Sequence, residues 1–150
     1  RRVLFRSQME RLEQLQNTLF RARNRTLLLQ DLERAGMKIK GLKIEPKSIL
    51  RNVYLDNTDL SGVNLQSADL RRASLKKVNF FMASLGGAML NDTDCRGADF
   101  RGANLKGSYF RNADLEGAVF TEEEITKFRI ELSRATNLNK VVVRGLLDDS

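Results

Sequence analysis

The chain has 150 residues, 26 Lys and Arg against 19 Asp and Glu, one Cys, one Pro, and neither His nor Trp. That is length for one domain, or for one domain with an arm. Without His there is no Ser-His or Cys-His nucleophile pair and no imidazole metal site; one Cys makes neither an internal disulfide nor a zinc cluster. No apolar run approaches the roughly 18 residues needed to span a bilayer, and no signal peptide is visible. Arg at position 1 leads us to expect a processed chain or a piece of a longer one. The net charge of +7 is unevenly placed. Residues 1–52 carry +8, residues 53–120 are neutral, and residues 121–150 carry −1. A basic arm on a neutral body points to a localised contact rather than a uniformly basic surface.

Residues 1–36 read as a basic amphipathic helical arm. The segment lacks Pro, is rich in helix formers and ends at Gly36. Phe5, Leu12, Leu15, Leu19, Ala22 and Leu29 fit a heptad seam interrupted by Gln8 and Thr26. The other faces carry Arg1, Arg2, Arg6, Arg11, Arg21, Arg23 and Arg25, the candidate contacts for an anionic partner. Three uses of this arm stay open. It packs on the body or on a sister chain. It lies on an anionic membrane, or follows a membrane segment. Or it touches nucleic-acid phosphates, the weakest reading for a charge confined to one arm. Residues 37–52 alternate apolar residues with Lys for a stretch and are expected to form an irregular first coil that caps the body.

From residue 53 to 122 the chain keeps a period of five. Leu or Phe occupies every fifth position from Leu55 to Phe120, with Cys95 the one smaller substitute. Two places earlier stands a small residue, from Val53 and Thr58 to Ala113 and Ala118. Between them Asp or Asn recurs at 59, 64, 69, 79, 94, 99, 104 and 114. Gly recurs two places after the large residue, at 62, 87, 97, 102, 107 and 117. Five matches neither the helical period nor a long strand. Residues i and i−2 of an extended segment share a side, so each unit is a very short strand followed by a corner. Gly at i+2 suits a corner with positive φ. Corners turning in one sense wind the chain into a coil, and successive coils stack at about 4.8 Å.

ADLRR at 68–72, ADFRG at 98–102, ANLKG at 103–107 and ADLEG at 113–117 make this segment resemble the pentapeptide-repeat family, whose motif is A(D/N)LXX. The resemblance implies a mainly β fold, a right-handed quadrilateral β-helix or solenoid with four pentapeptides per coil. It also implies a corner-bonding role for the Asp or Asn at i−1. Residues 20 apart then stack, which predicts a column of Leu60, Phe80, Phe100 and Phe120 and places Cys95 inside, buried and inert. Family members that protect DNA gyrase by mimicking DNA are strongly acidic rods. The neutral body here argues against that role. Many other members, common in cyanobacteria, are presumed scaffolds or are fused to further modules.

Residues 123–150 are expected to form a C-terminal capping helix and a tail. Thr121 with Glu124 reads as a capping box, and Ile125, Phe128, Ile130 and Leu132 as a lid over Phe120. Residues 139–147 read as one more strand or a docking tail. Outward apolar residues are the exceptions on a polar surface. Among them Phe81, Met82, Met89 and Tyr109 are the candidate protein contacts. Exposed bases form two belts, Arg71, Arg72, Lys76 and Lys77, then Arg96, Arg101, Lys106 and Arg111. No constellation suggests catalysis, a cofactor, a metal or a small-molecule substrate. The expectation is a non-enzymatic interaction or scaffold module of the cytoplasm with a protein partner or a second copy of itself. The alternative is a domain held at a membrane by the basic arm.

Overall fold

A computed structural model describes residues 27–28 and 44–149. The candidate arginines at positions 1, 2, 6, 11, 21, 23 and 25 lie outside the described residues, as do the expected helix over most of 1–36 and the start of the cap at 37–52. Leu27–Leu28, expected within the helical arm, instead form a strand, β1.

The body is a β-helix whose strands are so short that most pair through a single bridge. Tyr54 pairs with Ser74, Ser74 with Asp94, Asn79 with Asp99 and Met89 with Tyr109, always in parallel and always 20 residues on. That offset fixes four pentapeptides per coil. Parallel neighbours joined by a crossover wind right-handedly, the hand of the fold. The large residues point inward without exception. Leu55, Leu65, Leu75, Leu85, Phe100 and Leu105 are fully buried, and the small residues two places earlier fill the space between them. Phe80, Phe100 and Phe120 stack with ring centroids 5.1 Å apart, and Phe110 meets Phe100 edge-on at 5.8 Å.

One unit shows how the five-residue period satisfies the backbone. Asn79 donates its N–H down to Thr58 O (3.0 Å) and Phe80 donates up to Asp99 O (2.8 Å). Phe81 donates to the Asn79 side chain (2.9 Å). Met82 donates up to Arg101 O (3.0 Å), and Ala83 closes the turn onto Phe80 O (2.9 Å). All five donors are spent, three of them between coils. The turn places its third residue at positive φ, and this recurs at every corner from Lys47 to Gly117. Six of those corner residues are Gly; nine are not, Asn52, Arg72, Lys77 and Met82 among them.

The repeat starts one unit earlier than its sequence suggests. Ser48 and Leu50 are buried at i−2 and i, and Ile49 pairs with Asp69. β1 lies below this, in parallel register with Thr58–Asp59 (β2).

At the other end the column departs from its period. After Val119–Phe120 (β3) come two short helices, Glu122–Lys127 (α1) and Arg129–Leu132 (α2), and a 3-10 turn at Leu138–Lys140. Val142–Val143 (β4) then returns to pair with β3, 23 residues on. Phe128 and Leu132 are buried against the core, with Ile125 partly so. Ile130 is 78% exposed and takes no part in the lid, because the break between α1 and α2 at Phe128 turns it outward. The capping box closes on one side only. Thr121 Oγ1 accepts from Glu124 N (3.4 Å), but the Glu124 carboxylate turns away from Thr121 and accepts from Gly102 N. No helix among the described residues is long and apolar enough to cross a membrane.

Candidate functional site

All eight Asp and Asn residues at i−1 do the same thing. The Oδ1 atoms of residues 59, 64, 69, 79, 94, 99, 104 and 114 each accept the backbone N–H two residues on, at 2.9–3.2 Å. A short side chain with an acceptor on Cγ reaches that N–H without bending the corner, which is why the motif uses these two residues. The carboxylates are thus engaged in the fold.

Where an Asp is followed by Arg at i+1, the guanidinium folds back on it. Arg71, Arg96 and Arg101 sit 2.7–2.8 Å from Asp69, Asp94 and Asp99. Asp69 is buried and also holds Arg51. The hydrogen bonds from Arg71 hold its carboxyl well below the usual carboxylate range, against the opposing effect of burial. The expected belts of exposed bases are therefore partly neutralised. Arg101 is not exposed at all. Its guanidinium reaches Gly145 O (3.0 Å) and Asp148 O, pinning the C-terminal tail to the column. Nothing in the pentapeptide pattern distinguishes Arg101 from Arg96; the tail that buries it is 44 residues away. Cys95 is fully buried, 3.2 Å from Thr93 Oγ1. Burial pushes its thiol up to about 12, which leaves it protonated and unreactive.

The four outward apolar candidates fall into two places. Met89 and Tyr109 are register partners on one face, Tyr109 56% exposed. With Arg71, Asn91, Asp92, Arg111 and Asn112 they line a shallow hollow of about 490 Å³. Ile49, 73% exposed, continues the same face below Asp69. Phe81 and Met82 sit at a corner elsewhere. Phe81 is half-buried, while Met82 is exposed and borders a larger cleft of about 780 Å³ between the column, α1 and the tail. Sequence spacing does not reveal that cleft, because its far wall is the returning tail.

The hollow beside Met89 and Tyr109 is lined by a thioether and an aromatic together with guanidinium and amide groups and the Asp92 carboxylate, to which Asn112 donates. That chemistry suits a contact with another surface: polarizable anchors that adapt in shape, and donors that fix orientation.

Residues 48–85 and 79–117 match the model of the family described as pentapeptide repeats, in eight copies. A pentapeptide repeat protein of the Arabidopsis thaliana thylakoid lumen is 35% identical over 55% of this chain and 56% of its own, with a TM-score of 0.50. HetL, a pentapeptide repeat protein involved in heterocyst differentiation regulation in the cyanobacterium Nostoc, is 30% identical. Its match covers 64% of this chain and 40% of its own, with a TM-score of 0.51. The chain thus spans about half the length of these relatives, or less. No curated protein sequence matches it. The register of 20, the corner-bonding Asp and Asn and the matched residues lead to one conclusion: the body of this chain, residues 48–117, belongs to the pentapeptide-repeat family.

Proposed function

We propose that this chain is a non-enzymatic protein-interaction module, a rigid column that presents the Met89–Tyr109 face to a protein partner or to a second copy of itself. The observation that carries this reading is the division of labour along each repeat. Large residues fill the axis, and Asp and Asn bond the corners. The outward positions are the ones left to vary, and on this face they bring a Met and a Tyr together in a hollow rimmed by Arg71 and Arg111. Exposed clusters of this kind mark contact surfaces. Truncating an aromatic anchor at such a contact costs about 2 kcal/mol or more of binding.

Photo-cross-linking tests it. A benzophenone side chain at position 109, with a control at the exposed Gln66, is activated in extract of the source organism and in the purified protein. Position 109 is expected to give one discrete adduct, of twice the chain mass or with one other protein, and Gln66 none. Equal, diffuse labelling from both positions would contradict the reading.

A further inference from the structure

The Met89–Tyr109 face is bordered by a corner whose charge is one-sided. Arg51, Arg71, Asn91 and Arg111 hold the same place in successive coils, and the backbone ladder stacks them. Asn52 N donates to Arg71 O (3.1 Å), Arg72 N to Asn91 O (3.0 Å) and Asp92 N to Arg111 O (2.9 Å). Arg72 adds a fourth guanidinium at the adjoining place.

Two carboxylates stand against these four cations. Asp69, buried, takes both Arg51 and Arg71, so one of the two is in surplus there. Asp92 is exposed and is met by an amide, Asn112 Nδ2 (3.3 Å), rather than by a cation. Arg72 and Arg111, both exposed, make no ion pair among the described residues. The corner thus keeps a surplus of two positive charges. Other arginines of the column are matched: Arg96 lies between Asp94 and Asp114, and Arg101 is paired with Asp99 and covered by the tail.

An aromatic stands on each side of this corner. Tyr109 lines the hollow already described. A second hollow, of about 450 Å³, holds Tyr54, 45% exposed, beside Arg72 and Lys76. Asp92 lines both hollows, so the corner is the ridge between them.

The surplus charge decides between occupants. A second copy presenting the same face would set four guanidinium groups against four, and like charges juxtaposed at a contact cost affinity. Nucleic acid offers phosphates to the arginines. Two surplus charges, however, answer two phosphates, short of the about six to ten contacts from which such affinity is built, and Asp92 on the ridge repels a phosphate backbone. A protein segment with carboxylates set between apolar side chains satisfies both parts of the surface. Arg binds carboxylates through its planar fork of donors, and Met89 adapts to the apolar groups.

We propose that the occupant of the Met89–Tyr109 face is an acidic segment of a different protein, one that alternates Asp or Glu with apolar side chains. Its carboxylates meet Arg72 and Arg111, and its apolar side chains meet Met89 and Tyr109. This inference rests on the reading of that face as a protein contact.

Photo-labelling of defined peptides by the purified full chain tests it, with the benzophenone at position 109. Two biotinylated peptides share Leu and Tyr at alternate places and carry Glu or Lys at the others. The acidic peptide is expected to be labelled about tenfold more than the basic one. R72E/R111E should lose that preference while melting close to the parent, since both arginines are exposed and unpaired. K77E/R129E should keep it. That variant makes the same change of charge at exposed residues that line neither hollow. Equal labelling of the two peptides would overturn the inference, as would a preference that R72E/R111E retains or that K77E/R129E loses equally. Labelling displaced by an equal concentration of a single-stranded oligonucleotide would assign the corner to nucleic acid instead. An adduct of twice the chain mass formed in preference to either peptide would assign it to a second copy. In each of these cases a discrete adduct from position 109 in extract leaves the reading of the face standing. Absence of any such adduct removes that reading and this inference together.

Discussion

At the scale of the residue, the corner is the unit that decides. Gly62 isolates its conformational requirement, for a Cβ there would meet nothing within 4 Å and φ is +68°. Gly62→Ala should therefore cost about 1 kcal/mol through backbone strain alone, read as a lowered denaturant midpoint with an unchanged slope. Asp69 gives a second prediction. Its carboxyl titrates lower in the folded chain than in the unfolded one, because Arg71 and then Arg51 donate hydrogen bonds to it. A depressed folded value contributes stability that is complete above about pH 4, the unfolded value, and is lost as the pH falls further. Asp69→Asn should flatten the loss of stability below pH 4 while lowering stability at neutral pH. Parallel acid-denaturation curves for the two proteins would contradict the assignment.

At the scale of the element, the C-terminal cap solves a problem that the repeat creates. Each coil offers upward N–H groups at its corners, and the next coil normally accepts them. Where the column ends, glutamate side chains from α1 and α2 serve instead: Glu124 accepts from Gly102 N, and Glu131 accepts from Gly107 N at 3.1 Å. Glu124→Ala leaves a partly buried donor without its acceptor and should cost about 1–3 kcal/mol; Glu124→Gln keeps a carbonyl acceptor and should recover most of that loss in a thermal melt. The pentapeptide period made the column, its inward residues and its corner bonds readable before any coordinates. A strict repeat specifies its own geometry, since each unit meets the same neighbours. The cap was less readable. Thr121 and Glu124 have capping-box spacing, yet Glu124 turns to the column, where Gly102 N has no carbonyl of a further coil to donate to. Ile130 fits a helical face, but the break at Phe128 rotates it into solvent. Leu27–Leu28, within a segment of helical periodicity, are instead drawn into the open edge of the first coil.

At the scale of the whole molecule, a solenoid separates what holds it together from what it shows. Its interior is a stack of identical layers with Phe80, Phe100 and Phe120 in van der Waals succession, and its outer positions are free of that duty. The positive charge belongs to the N-terminal third, while the body balances its acids and bases, many of them paired within a single corner. Function on such a frame lies in which outer residues are placed side by side. Met89 and Tyr109 are brought together by the register of 20 alone. The most direct measurement is the thermal unfolding of the double variant M89T/Y109T, in which β-branched residues keep the strand positions. If this face is there to be touched rather than to hold the column, stability changes by no more than about 0.5 kcal/mol while a benzophenone at the neighbouring, exposed Arg111 gives its adduct in the parent and loses it in the variant. A loss of several kcal/mol, as for a truncated core residue, would show instead that the face belongs to the fold.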